Sequence, residues 1–406
     1  MAMSDRRASL SRVIPITTDT GTAYGRPPAT SRKDLAEVGP GTSMGELLRR
    51  YWHPVGVASD AGSVARKVRA LGEDLVLFRD GQQRPGLVYP HCIHRGASLF
   101  YGTTEERGIR CCDHGWLFDV HGHCLDQPWE PGGGRARDKL RQPWYPVQEL
   151  YGLLWAYMGP PEKKPVLPRY ECLEVLDEGE FLEADDSSIP GGGPAVGDCN
   201  WLQHYETLVD PFHAAALPTA PGGAQAMAAA VATPDVSWDT TEISVRALAL
   251  HRLPDGRQWR RICEAGLPTL RVVPNPRPGR LGPVESVGWV LPIDDTHFRI
   301  YTVGRVRAPG ELGALGMRAD GLRRWEDLSD AEHQRHPGDY EAMMSRGAIA
   351  HHSEEHLVTT DRGVVMLRRM LQRQLDIVQQ GGDPAGVSFD PDAPLVRFSA
   401  GNWLDS

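Results

Sequence analysis

The alternation of apolar and polar positions divides the chain into two unequal parts. A stretch poor in large apolar side chains comes first. From Gly41 a helix is expected, with Thr42 or Ser43 as N-cap ahead of Met44-Gly45-Glu46-Leu47-Leu48. Short apolar runs then alternate with turn residues. Val68–Leu71, Leu75–Phe78, Gly86–Tyr89, Leu117–Gly122 and Leu153–Tyr157 read as strands, and Asp80-Gly81 reads as a hairpin turn between two of them. Such closely spaced runs predict a small all-β module. The acid-, Pro- and Gly-rich stretch Pro165–Pro194 reads as a connection. Beyond it the pattern predicts a helix over Asn200–Ala216, strands at Ile243–Ala247 and Phe298–Val303, and a long helix near Thr360–Gln380 ended by Gly381-Gly382-Asp383-Pro384. Strands and helices that segregate along the sequence predict an α+β fold. The expected division is a tail over 1–40, a first domain over 41–162 and a second over 163–406. Pro221 to Pro234 reads as a loop or lid, and no internal repeat is visible.

A length of 406 residues suits two domains rather than one. Hydrophobic content of 40% with 24% charged residues fits a globular chain. The net charge of −9 argues against a nucleic-acid partner, which calls for a basic face. No apolar run approaches the roughly 20 residues of a membrane span. Arg6, Arg7 and Arg12 among serines faintly suggest a transit peptide, but no apolar secretory core follows, and a tail is the better reading. The cysteines outside the motif below are scattered, which suits reduced thiols and a cytoplasmic location.

The most specific chemistry lies in Cys92-Ile93-His94-Arg95-Gly96 and Cys111-Cys112-Asp113-His114-Gly115-Trp116. Each loop offers one thiolate and one imidazole, and sixteen residues separate His94 from Cys111. The set suits a cluster of two irons and two sulfides, with the cysteines on one iron and the histidines on the other. Neutral imidazoles in place of two thiolates raise the potential to about −150 to +300 mV, against about −400 mV for plant-type ferredoxins. A zinc site is the main rival, but zinc motifs pair Cys with Cys and His with His. Cys112-x-His114 repeats the first spacing, so Cys112 is an alternative to Cys111.

These loops resemble the Rieske family, whose pattern is C-x-H, a spacer of this length, then C-x2-H. The match falls on Cys92, His94, Cys111 and His114, and the flanking Arg95-Gly96 and Gly115-Trp116 resemble the ring-hydroxylating oxygenase branch. A second stretch, Asn200-Trp201-Leu202-Gln203-His204-Tyr205-Glu206-Thr207-Leu208-Val209-Asp210-Pro211-Phe212-His213-Ala214-Ala215-Ala216-Leu217-Pro218, resembles the same family's mononuclear iron motif. On helical spacing Gln203, Glu206, Asp210 and His213 share one face. The resemblance makes His213 an iron ligand and Asp210 the carboxylate that joins it to His114 of a neighbouring subunit. A second histidine is expected where Pro218 stands. The carboxylate ligand is expected at Asp361, in a Leu-x-x-x-Asp-x-Gly run. Three readings of the gap at Pro218 stay open. Another side chain completes the site (Glu206, or a ring among His204, His351, His352 and His356). Otherwise the site keeps two ligands and water, or binds no iron. His204 is nine residues from His213, which on a continuous helix puts it on the opposite face, so it is the weakest candidate.

The resemblance covers about residues 41–390 and is closest to the phthalate- and dehydrodivanillate-type oxygenases. It implies a small all-β Rieske domain and a larger catalytic domain, whose antiparallel sheet is covered by helices in the helix-grip, START-like manner. It implies a [2Fe-2S] cluster, a mononuclear ferrous iron, and electrons from a separate NAD(P)H-dependent reductase or ferredoxin, because the chain holds no dinucleotide fingerprint of its own. It also implies O2, an aromatic or related small substrate that is hydroxylated or oxidatively demethylated, and a head-to-tail homotrimer. The alternative is a non-catalytic electron-relay or scaffold subunit with an incomplete iron site.

Overall fold

The computed structural model describes residues 23, 25–135, 137–187, 193–213, 233–274, 281–316 and 325–405. Position 218 and most of the expected lid therefore lie outside the described residues. The expected tail reaches further into the fold than its composition suggested. Lys33–Ala36 forms a helical turn (α1), and Leu35, Ala36 and Val38 are fully buried. Ser43–Leu48 (α2) follows, with the Thr42 hydroxyl capping Gly45 N–H.

Strands β1 (Trp52–Val57), β2 (Arg66–Ala70), β3 (Glu73–Arg79), β4 (Pro85–Val88), β5 (Thr103–Glu105), β6 (Gly108–Arg110), β7 (Leu117–Phe118), β8 (Cys124–Asp126), β9 (Trp144–Tyr145), β10 (Val147–Leu150) and β11 (Leu153–Tyr157) build three small antiparallel sheets. Their orders are β1-β11-β10, β2-β3-β4-β9 and β5-β6-β7-β8. Strand β12 (Phe181–Asp185) comes after a short helix, α3 (Glu171–Glu174). With β13 (Asp235–Thr240), β14 (Ser244–Arg252), β15 (Gln258–Gly266), β16 (Leu270–Val272), β17 (Gly282–Pro283), β18 (Ser286–Asp294), β19 (His297–Val306) and β20 (Gly401–Asp405), it forms one nine-stranded sheet. Its ladders are antiparallel. The helices of this part are α4 (Trp201–Thr207), α5 (Asp330–Arg335), α6 (Asp339–Met344) and α7 (Arg362–Gln379). This is the α+β architecture the sequence predicts. In α7, Gly363, Val364, Leu367, Met370, Leu371, Leu375 and Val378 are buried, a three-four repeat that makes one apolar face, and the helix lies against β13, β14, α2 and α4. No described helix is long and apolar enough to cross a membrane.

One apolar core runs through both parts, from Leu47 and Leu71 to Trp289, Phe298 and Leu371. The two-residue turn between β2 and β3 drives Leu71 into the larger sheet. Its N–H and that of Gly72 donate to Pro292 O and Ile293 O, each at 2.9 Å. A second core gathers Val76, Phe78, Ile109, Phe118 and Val120 around Cys92 and Cys111.

Candidate metal centres

The two Cys/His loops are built alike. Cys92 N–H donates to Ala97 O at 2.8 Å, and Gly96 N–H returns to Cys92 O at 2.8 Å. In the second loop Cys111 N–H donates to Trp116 O at 2.8 Å, and Gly115 N–H to Cys111 O at 3.1 Å. Gly96 (φ +83°) and Gly115 (φ +70°) take the left-handed conformation that each turn requires. The result points both cysteines inward and leaves the histidines half-buried at the rim. The rings of His94 and His114 lie edge to face with centroids 4.5 Å apart, and Trp116 stacks on His94 at 4.5 Å. Asp113 Oδ2 is 3.0 Å from His114 Nδ1. Burial, with the Cys111 and Cys124 thiols close by, pushes the Cys92 thiol up to about 12. Cys111 is 3% exposed, whereas Cys112 faces solvent. The choice left open by sequence therefore falls on Cys111, because only its sulfur shares the apolar core with Cys92. Two thiols and two imidazoles converging at one protein end fit a [2Fe-2S] cluster.

Sequence reasoning missed the strap that holds the first loop. Gln142 is fully buried; its Oε1 accepts from Ile93 N–H at 3.0 Å, and its Nε2 donates to Tyr89 O and His91 O, both at 2.9 Å. No local signal marks it, since it lies 49 residues from Ile93. Gln142→Ala leaves a buried N–H and two carbonyls unpaired, which costs about 1–3 kcal/mol for each group that water does not reach. The expected outcome is faster bleaching of the cluster's visible absorbance by a chelator, measured against wild type.

The second motif folds differently from its helical reading. Asn200 caps α4 through Oδ1 to Leu202 N–H at 3.1 Å, and its Nδ2 ties the helix start to Ala36 O and Asp295 O at 2.9 and 2.7 Å. The helix stops at Thr207 instead of running to Ala216, and Pro211, which lacks an N–H, sits in the turn that follows. The shared polar face therefore does not form: Gln203 and Glu206 are buried, and Asp210 and His213 are half-buried. Gln203 is 2% exposed and bonds Met343 O, Gly347 O and Ala350 N–H. Glu206, proposed above as a substitute ligand, is held by Arg368 on α7, with Nε and Nη2 at 2.5 and 2.8 Å from its two oxygens. Arg368 also grips Glu355 at 2.5 and 2.9 Å. Burial pushes the Glu206 carboxyl up and Arg368 draws it back, while the two carboxylates hold Arg368 above its ordinary value despite its own burial. Removing Arg368 strands a buried carboxylate. Arg368→Ala is expected to destabilise the fold by about 3–5 kcal/mol, read as a lower midpoint in thermal unfolding.

Asp210 holds the turn that carries His213. Its Oδ1 accepts from Phe212 N–H at 3.1 Å and His213 N–H at 3.3 Å. His213 Nδ1 contacts Asp210 O, and a carbonyl only accepts, so Nδ1 carries the hydrogen and Nε2 is left for a metal or a second proton. Facing Nε2 at 3.7 Å is Asp339 Oδ1, from the first turn of α6. Asp361, expected as the carboxylate ligand, lies just ahead of α7, where its Oδ2 accepts from Val358 N–H at 2.7 Å. Sequence reasoning missed Asp339 because it sits in a six-residue helix after Pro337-Gly338, with no recognised spacing to His213. Burial alone would raise the Asp339 carboxyl, but the His213 ring, helped by His204 and Arg271, brings it below its usual range. Burial lowers His213, and Asp339 and then Asp210 more than reverse this.

His204 is 4% exposed and lies against the Phe298 ring, with centroids 5.2 Å apart. Burial first, then the charge of Arg271, push its imidazole down to about 3, so the ring is neutral. Phe298 and Trp289 are fully buried, whereas Trp238 is half-buried and donates to Val209 O at 2.8 Å. Of the other candidate rings, His352 Nδ1 accepts from Arg32 N–H at 3.1 Å, His351 faces Glu354 at 3.8 Å, and His356 is exposed. His213 Nε2 and the Asp339 carboxylate together offer one nitrogen and one oxygen donor of the kind that suits ferrous iron. Asp119, His121 and His123 also gather at the surface, but the Asp119 carboxylate is occupied by the N–H groups of its own turn.

Residues 51–142 match the Rieske [2Fe-2S] domain model. The chain is 46% identical over 404 residues to the phenoxybenzoate dioxygenase alpha subunit of Ectopseudomonas oleovorans, covering 97% of each chain. It is 37% identical to the oxygenase subunit of tert-butanol monooxygenase / tert-amyl alcohol desaturase of Aquincola tertiaricarbonis, over 85% of this chain and 76% of that one. It is 32% identical to the 5,5'-dehydrodivanillate O-demethylase oxygenase subunit of Sphingobium sp. (strain NBRC 103272 / SYK-6), over 89% and 84% of the two. The fold is shared with NdmA of Pseudomonas putida CBB5, solved with caffeine, at a TM-score of 0.60 and 18% identity over 87% of this chain and 99% of that one. Similarity to full-length oxygenase subunits favours an enzyme over a passive relay and makes the chain one component of a multicomponent system. The protein belongs to the Rieske non-haem iron oxygenases, oxidoreductases with a [2Fe-2S] cluster and a mononuclear iron, and within them to the terminal oxygenase alpha subunits.

Proposed function

We propose that the chain hydroxylates or oxidatively dealkylates an aromatic acid or ether, with Cys92, His94, Cys111 and His114 holding the cluster and His213 and Asp339 holding the iron. The observation that carries this reading is the pairing of His213 Nε2 with Asp339 Oδ1 at 3.7 Å, one turn after Asp210 has fixed the ring. Bound in these places, the cluster supplies single electrons at mild potential and the ferrous ion activates O2. The protein's own part is positional. Asp210 sets the tautomer and direction of His213, and Asp339 supplies negative charge that would offset half of the ferrous ion's charge. Substrate class is inferred from the phenoxybenzoate relative, 46% identical to this chain. The tertiary-alcohol relative makes a compact, branched substrate the second choice.

Further parts of the reading rest on the family. The electron donor is an NAD(P)H-dependent reductase or ferredoxin, and the location is cytoplasmic. Residues 41–162 act as the cluster domain and 163–406 as the catalytic domain. The assembly is a homotrimer in which electrons cross from His114 of one copy to Asp210 and His213 of the next. An exposed aromatic rim near the cluster loops supports a contact there: Trp129 is 80% exposed, Tyr101 66% and Tyr89 47%. The test is a single turnover with labelled oxygen. Chemically reduced protein is mixed with 18O2 and a panel containing phenoxybenzoate, methoxybenzoates and phthalate. A hydroxylated or dealkylated product carrying the label is expected. A cluster that reoxidises without any labelled product across the panel would overturn the proposed chemistry.

A further inference from the structure

Asp119, His121 and His123 stand at the turn between β7 and β8, outside both centres described above. Asp119 N–H donates to His123 O, and Gly122 N–H to Asp119 O, each at 3.0 Å, which closes the turn. Gly122 takes φ +77°, a conformation that glycine adopts without strain. The reversal brings the alternate positions 119, 121 and 123 together, and one ligand atom from each side chain lies within 4.8 Å of the others.

The turn itself needs neither imidazole. Its bracing comes from Asp119 Oδ1, which accepts from His121 N–H at 2.9 Å and His123 N–H at 2.8 Å. Those bonds occupy one oxygen only. They fix the carboxylate with Oδ2 turned to His123 Nδ1, 3.0 Å away. Two donors on one zinc ion, with bonds of about 2.0–2.2 Å at tetrahedral or octahedral angles, stand about 2.9–3.4 Å apart. The His121 ring is set by an edge-to-face contact with Trp144, with centroids 4.8 Å apart. The nearby Arg141 is held elsewhere, with Nε on His121 O at 2.8 Å and its guanidinium 5.2 Å from the Trp144 ring centre. Among the described residues no lysine or arginine pairs with Asp119, so its charge is left for another cation. Both imidazoles are exposed, and a metal reaches them directly from solvent.

We propose that Asp119, His121 and His123 bind a divalent transition metal ion on the surface of the segment that matches the Rieske domain. Two imidazoles and one carboxylate suit the zinc end of the divalent series. Binding displaces the hydrogen held between His123 Nδ1 and Asp119 Oδ2, which leaves to solvent as a proton. The site does not rest on the reading of His213 and Asp339 as iron ligands.

Zinc is the probe. Full-length His213→Ala protein carrying its cluster is titrated with zinc against a competing chelator; the substitution removes the histidine of the other centre. The bound ion is examined by X-ray absorption at the zinc edge, which iron does not obscure. One zinc per chain is expected, in a shell of two imidazoles and oxygen, with the cluster absorbance unchanged. On that background His121→Ala, His123→Ala and Asp119→Asn are each expected to bind zinc at least about tenfold more weakly, a loss that even an outer partner of a metal ligand brings. Each keeps the Gln142 strap, because Gln142 N–H donates to the Gly122 carbonyl at 2.7 Å and to no side chain of the turn. Cluster absorbance reports that. Placed in otherwise wild-type protein, the same substitutions are expected to lower bound zinc by one ion per chain, which keeps the test valid if His213→Ala fails to fold. No zinc bound at micromolar concentration overturns the proposal. So does sulfur in the zinc shell, which would put the ion on the cluster cysteines, and so does unchanged zinc affinity in the His121 and His123 variants.

Discussion

Asp339→Asn is expected to empty the mononuclear site and to lower turnover by more than about 100-fold, since even outer partners of metal ligands cost 10–100-fold. Asp339 is the carboxylate facing His213 Nε2, at 3.7 Å, and it is charged below its usual range by that ring and its neighbours. Asparagine keeps the shape and removes the charge. The control is Asp361→Ala, which removes only a hydrogen bond to Val358 N–H at a helix start. That variant is expected to lose about 1 kcal/mol of stability and to retain its iron. Iron content after desalting, together with turnover, separates the two carboxylates. Equal loss in both variants would mean that the site extends to the start of α7.

Cys92→Ala and Cys111→Ala are each expected to abolish the cluster's visible absorbance, and turnover with it. Both sulfurs sit in the apolar core at 3% exposure, and no other cysteine of the second loop points inward. A thiolate lost there has no replacement. Without the cluster the iron receives no electrons, so the loss of activity is complete rather than partial. Cys112→Ala, which alters a solvent-facing thiol, is expected to keep both absorbance and turnover. Absorbance lost in Cys112→Ala and kept in Cys111→Ala would reverse the assignment.

The two centres differ in how far the sequence reveals them. The cluster loops are local: ligand and turn glycine lie four residues apart in each, so spacing alone carries the geometry. Even there the strap from Gln142 is invisible, because its contacts are set by how β9 returns beside the loop. The iron site is assembled from distant segments. His213 and Asp210 were legible as a motif, but helical periodicity misled at both ends of it. The helix stops before Pro211, so the count that joins Glu206 to His213 on one face does not apply, and Glu206 faces Arg368. Asp361 stands just ahead of α7, where acidic residues are favoured for reasons of their own, so its place in the sequence alone does not mark it as a ligand. The first 40 residues looked like a tail by composition, yet Leu35, Ala36 and Val38 are buried beside α4, where Ala36 O accepts from Asn200 and Trp201.

The claim at the centre of the account is that one chain carries both an electron store and a working iron. The most direct measurement is the iron content of anaerobically purified, iron-loaded protein, read with the ferrous-nitrosyl EPR signal. The account predicts about three irons per chain, two in the cluster and one more that gives the nitrosyl signal. About two irons and no nitrosyl signal, with the cluster intact, would contradict it.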